Sequence, residues 1–187
     1  MTAAIRTVPH TEAVAVLART RTIEVACGTG TGPNGLAAFD GALRATGVAN
    51  FNLLRLSSVI PPGTCVQPVI GPVSHIHGEW GDRLYVVMAE ARVTEPGAEA
   101  WAGIGWVQDP ESGKGLFVEH EGHAEEAVRR DILDSLESLV AGRSGTFGPP
   151  HYALHGATCT DEPVCALAVA VYETAPWAID LARFSNS

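Results

Sequence analysis

Apolar residues recur along this chain at two periods, and the changes from one to the other outline its elements. Thr11 to Arg19 spaces alanine and valine as a short helix does. Thr22 to Cys27 has the composition of a strand, which the glycine-rich stretch CGTGTGPNG is expected to end. Gly35 to Thr46 carries Leu36, Phe39 and Leu43 at three- and four-residue intervals, one face of a helix, and Gly47 is placed to stop it. Asn50 to Ile60 is expected to be one strand, halted by Pro61-Pro62-Gly63. Pro68 to Gly81, with prolines, glycines and two histidines, is expected to be a surface loop.

Leu84 to Val93 and Trp101 to Gln108 are strands with Pro96-Gly97 as a turn between them, and Gly115 to His120 continues the sheet. Ala124 to Val140 is the clearest helix, because Val128, Ile132, Leu136, Leu139 and Val140 form an apolar stripe with Glu and Arg outside it. His151 to Thr158 and Val164 to Glu173 are the last strands. Strands outnumber helices and each long helix has one apolar face. That pattern predicts an α+β sandwich of sheets covered by helices, in a single domain over 1–187 with a polar tail after about Trp177.

Composition narrows the function classes. Of 187 residues, 46% are hydrophobic and 18% charged, with mean hydropathy +0.13, enough for a packed core and unlike a disordered chain. The net charge is −9 and the 12 Lys and Arg are scattered, which argues against a nucleic-acid partner. The N-terminal residues lack a basic start followed by an apolar run, and no stretch approaches the roughly 20 apolar residues of a membrane span. A cytoplasmic protein with no membrane partner is therefore expected. Cys27, Cys65, Cys159 and Cys165 are widely spread and are expected to be reduced, mostly buried side chains.

The chemistry concentrates in Leu36 to Gly63, LAAFDGALRATGVANFNLLRLSSVIPPG. By itself this is a helix with one carboxylate, Asp40, near its first turn, then a strand ending in a Ser57-Ser58 pair. Adjacent serines at a strand end usually mean no more than polar surface. The whole string, however, resembles the pyruvoyl-dependent arginine decarboxylases, and the resemblance resumes at GLFVEHEG and, faintly, at VCALAVAVYE.

That resemblance implies a four-layer αββα sandwich that cuts itself into a small β chain (1–57) and a larger α chain (58–187). Ser58 Oγ attacks the carbonyl of Ser57, and β-elimination and hydrolysis leave a pyruvoyl group at Ser58 as the cofactor. A hydroxyl needs a backbone held in attack geometry for this, and a strained peptide at the strand end can supply it. The ketone then forms a Schiff base with the small-molecule amino-acid substrate, most simply arginine, and releases carbon dioxide and agmatine. Glu119 matches the glutamate that protonates the substrate at Cα. It can donate only in its protonated form, which apolar neighbours such as Phe117 and Val118 favour. Asn52 matches a substrate-contacting asparagine, and Asp40 matches the aspartate that pairs with the guanidinium, a bidentate, charge-assisted contact. The family implies a homotrimer, or a dimer of trimers, with active sites between subunits.

Two stretches, CGTGTGPNG and Pro68 to Gly81, depart from that pattern and open the alternative of the same chemistry on another amino acid. An unprocessed, non-catalytic relative is the alternative from another class. Other motifs carry less. GTGTGPNG lacks the lysine and spacing of a phosphate loop and is expected to be a turn. His75-x-His77, His120-x-x-His123 and His151-x3-His155 have no identifiable third ligand, so no metal is expected. Cys159 and Cys165 lack redox spacing, and Glu121 shares a strand face with Glu119. Cys65 lies close to the serine pair in sequence.

Overall fold

The structure is a computed structural model and describes residues 21–177. Its elements are β1 (Arg21–Thr31), α1 (Gly35–Thr46), β2 (Asn52–Arg55), β3 (Val59–Ile60), β4 (Thr64–Val69), β5 (Arg83–Val93), β6 (Glu99–Gln108), β7 (Gly115–Gly122), α2 (Glu125–Ala141), β8 (His151–Thr158) and β9 (Val164–Ala175). The helix expected over Thr11 to Arg19 and the tail after Trp177 lie outside the described residues. The strands form a five-stranded sheet, β2-β5-β9-β1-β4, and a four-stranded sheet, β3-β7-β6-β8.

Alternation along β9 shows how the layers stack. Ala166, Ala168 and Ala170 face the four-stranded sheet and pack with Ala102, Ile104 and Phe117. Their neighbours Cys165, Leu167, Val169 and Val171 face α1, where they meet Ala38 and Ala42. On the other side, α2 lays Val128, Ile132 and Leu136 against Val107 and Val118. The α+β sandwich expected from the sequence is present as two sheets, each faced by one helix. No helix among the described residues is long and apolar enough to cross a membrane.

α1 forms where its signals place it. Asn34 Oδ1 accepts from the N–H groups of Leu36 and Ala37, and Gly47 ends the helix with φ of 83°. The glycine run before it is not a turn: β1 continues through Gly28 and Gly30 to Thr31. The glycines serve close packing instead. A Cβ on Gly30 would stand 2.2 Å from the Ala42 nitrogen, so their absence lets α1 lie directly on the sheet.

Two further expectations fail. Asn50 to Ile60 is not one strand but two, β2 at the edge of the five-stranded sheet and β3 at the edge of the other. Thr64–Val69 is a strand, β4, parallel to β1, so Pro68 and Val69 belong to a strand and not to the loop. Pro68 is tolerated because β4 is an edge.

The loop from 70 to 82 is tied down by one buried acid. Glu24 on β1 is 3% exposed and accepts from Ser74 N (2.6 Å), Ser74 Oγ (2.9 Å), His75 N (3.0 Å) and His75 Nδ1 (2.6 Å). Burial pushes its carboxyl up, but the Ser74 N–H, the His75 ring, the His75 N–H and the Ser74 hydroxyl outweigh it and hold the value at about 2. A depressed carboxyl stabilises the fold above its unfolded value of about 4.5 and ceases to as pH falls toward 2. Glu24→Gln should therefore cost on the order of 3 kcal/mol at pH 7 in urea unfolding. The gap to the parent chain should close between about pH 5 and pH 2, and a gap independent of pH would contradict this anchor.

Candidate active site

Between β2 and β3 the chain leaves one sheet and joins the other within three residues. Leu56 N makes the last bond to the five-stranded sheet, on Val86 O at 2.8 Å. Two residues later Ser58 O accepts from Phe117 N, also at 2.8 Å, and the four-stranded sheet begins. The turn is taken at Ser58, whose φ is 65° and which alone among the described non-glycine residues has a positive φ. A Cβ in that region costs about 1–2 kcal/mol, so the bonds on either side must impose it.

The same turn aims the Ser58 hydroxyl at β7. Glu119 shares the inner face of β7 with Phe117, and its Oε1 accepts a short hydrogen bond from Ser58 Oγ. Val118 packs toward α2, and both it and Phe117 line the groove beside that carboxylate. Because β3 pairs with only Leu116 and Gly115, the edge of β7 beyond Phe117 is uncovered by it. A groove of about 510 Å³ opens there, lined by Ser58, Glu119, His120 and, from α2, Asp134, Ser135 and Ser138. His120 Nε2 meets Ser135 Oγ at 2.8 Å. Ser57 faces elsewhere, into a largely apolar cavity of about 400 Å³ with Arg21, Leu56, Tyr85 and Tyr172. The Ser57–Ser58 peptide thus separates two cavities.

Of the residues expected to act together, Ser58 and Glu119 are in contact, and Ser57 is adjacent by sequence. Asn52 on β2 lines neither cavity. Its Nδ2 donates to Gly81 O at 2.5 Å and its backbone N to Asp82 O at 2.8 Å, so it secures the far end of the loop that Glu24 anchors. Asp40 is exposed on α1 and paired with Arg44 at 3.2 Å. It lies outside the five-stranded sheet, whereas the groove is bounded by α2 outside the four-stranded one. Glu121 and Cys65 are exposed.

The paired histidines have separate partners: His75 on Glu24, His120 on Ser135, His123 Nδ1 on Glu99 O at 3.0 Å, and His151 stacked on Trp106. Among the described residues no three His, Cys, Asp or Glu side chains gather to hold a metal. Sequence reasoning missed Asp134, Ser135 and Tyr172. The first two sit on the helix selected only for its apolar stripe, and nothing local to Tyr172 sets it apart from its strand.

A family model described as pyruvoyl-dependent arginine decarboxylase matches residues 22–175. The pyruvoyl-dependent arginine decarboxylase of Halobacterium salinarum is 39% identical over 127 residues, 64% of this chain and 71% of that one. That of Thermococcus kodakarensis is 29% identical over 161 residues, 79% of this chain and 91% of its own. That of Methanocaldococcus jannaschii is 42% identical over 48 residues, covering 26% and 29% of the two chains.

The left-handed backbone at residue 58 is open to test without reference to activity. Ser58→Gly should be more stable than Ser58→Ala by about 1 kcal/mol, because only glycine adopts this conformation without a Cβ clash. Denaturant unfolding of the two variants measures the difference. The reverse order, as an ordinary extended position gives, would contradict the geometry.

Proposed function

The chain belongs to the family of pyruvoyl-dependent arginine decarboxylases, and we propose that it makes its pyruvoyl group by cutting the Ser57–Ser58 peptide and uses it to convert arginine to agmatine and carbon dioxide. The observation that carries this is the meeting of Ser58 Oγ with the Glu119 carboxylate at a left-handed residue between two sheets. A serine hydroxyl is a poor nucleophile until a base takes its proton, and Glu119 is placed to take it. Ser58 Oγ attacks the Ser57 carbonyl carbon, the C–N bond breaks, and the proton passes to the freed nitrogen, leaving an ester. Loss of the Ser58 Cα proton then expels the Ser57 carboxylate, and water releases the nitrogen as ammonia. The products are chain 1–57 and chain 58–187.

The residues present fit that group. Residue 58 keeps its own carbonyl through the cut, and the Phe117 N–H already holds that oxygen. Once formed, the ketone supplies the electron sink for loss of carbon dioxide. Glu119, released from the serine hydroxyl, faces the same position and returns a proton to the substrate Cα. Asn52 lines neither cavity of its own chain, so its expected contact with substrate is assigned, like that of Asp40, across an interface from the exposed edge strand β2.

The guanidinium is assigned to Asp40 of a neighbouring subunit, in a homotrimer whose sites lie between subunits. Asp40 is exposed on the helix remote from its own groove, so it serves this role only across an interface. A second assignment has its own observation in favour: Asp134 lines the groove that holds Ser58 and Glu119 within one chain.

Arginine labelled at its carboxyl carbon should release labelled carbon dioxide with an equal amount of agmatine, and a cut chain that releases none from arginine would overturn the substrate. Removing the carboxylate that binds the guanidinium should raise KM for arginine about a hundredfold, the scale of a lost desolvated charge pair. Asp40→Asn should show this and Asp134→Asn should not. The opposite pattern gives the role to Asp134.

A further inference from the structure

Tyr172 lines the Ser57 cavity, and the proposed chemistry leaves it unused. It sits on β9 where the ladder with β5 slips: Val171 pairs with Val86 and Glu173 with Tyr85, so Tyr172 is an extra residue with no partner. A bulge of this kind bends a strand and re-aims a side chain, and bulges recur beside active sites. Here it carries the phenol across to β3. Tyr172 Oη donates to Val59 O at 3.0 Å, and the ring packs edge-on against Phe117 with centroids 6.1 Å apart. Phe117 is the residue whose N–H holds Ser58 O. Two successive carbonyls, those of Ser58 and Val59, are therefore pinned from two different sheets.

We propose that Tyr172 is a positioning residue for self-cleavage: its hydroxyl fixes the peptide after Ser58 and so holds residue 58 left-handed with Oγ on the Glu119 carboxylate that activates it. A left-handed serine relaxes unless the backbone is fixed on both sides. Upstream the fixing bond is Leu56 N to Val86 O, and downstream it is the pair made by Phe117 and Tyr172. β3 itself is too short to do this, since only Val59 and Ile60 are paired. The phenol remains a donor at neutral pH, because burial and then the nearby Glu119 charge push it above its ordinary value. In the step it serves, the Ser58 Oγ–carbonyl bond forms as the Ser57–Ser58 C–N bond breaks. Tyr172 neither gains nor loses a proton. The role rests on the self-cleavage proposed above and adds the residue that makes its first step geometrically possible.

The test follows conversion of freshly made full-length chain into its two fragments, beside decarboxylation by the fraction already cut. Tyr172→Phe should slow fragment formation about tenfold or more, the scale of one lost hydrogen bond in a strained site. KM and kcat for arginine, per cut chain, should match the parent. Hydroxylamine, which cleaves esters, should release less of the trapped ester from Tyr172→Phe than from the parent at equal times, since the slowed step is ester formation. In an uncut Ser58→Ala background, Tyr172→Phe should leave the thermal midpoint nearly unchanged, which separates positioning from a general loss of stability. Fragment formation at the parental rate would overturn the role. So would a build-up of hydroxylamine-sensitive ester, which would place the hydroxyl in elimination, or an equal fall in kcat, which would place it in decarboxylation. A parent chain that never forms fragments would remove the self-cleavage itself, an outcome distinct from a parent that cuts and a variant that cuts equally fast.

Discussion

The site depends on the way the chain changes sheets between Arg55 and Val59. β2 and β3 are edges of two different sheets, and only three residues join them. Such a short connection cannot stay extended, and the bend falls on a serine instead of a glycine. The hydrogen bonds of both sheets outweigh the cost of that conformation, so the strain is imposed by the fold and persists. Everything else at the site is arranged around the bend. Glu119 receives the hydroxyl, Phe117 and Tyr172 hold the carbonyls after it, and the short β3 leaves the edge of β7 uncovered to form the groove.

Separation of the two serines into different cavities gives the peptide between them an asymmetric environment. Both cavities are lined mostly by apolar surface, but the polar groups differ: Arg21, Tyr85 and Tyr172 on the Ser57 side, and Glu119, His120, Asp134 and Ser135 on the Ser58 side. That division suits a bond whose two sides have different fates under the proposed chemistry: one becomes a chain end, and the other becomes the reactive group. The loop from 70 to 82 adds a separate support. Glu24 fixes one end and Asn52 the other, so a residue expected to touch substrate also closes the loop.

Much of this was legible from the sequence, for reasons that differ by element. α1 and β8 were found at their true bounds, α1 because the capping asparagine, the apolar spacing and the terminal glycine all agree. The glycine run in β1 misled, because glycine marks either a turn or a close approach, and only the position of α1 decides between them. β4 was hidden by its proline, whose tolerance requires knowing that the strand is an edge. The split of β2 from β3 has no local signal, since both halves look extended and their separation is a fact of pairing. Ser58 and Glu119 were picked out by family resemblance, and their contact could not be derived from spacing. Tyr172 and Asp134 depend on register and on packing between distant segments, and the sequence alone does not carry either.

The central claim is that the chain breaks at this bend. Intact mass of the purified parent protein under denaturing conditions tests it most directly. The account predicts two chains, 1–57 and 58–187, whose summed mass equals that of the uncut chain plus one water and minus one ammonia. A single chain of the full encoded mass, or a cut at any other peptide, would contradict it.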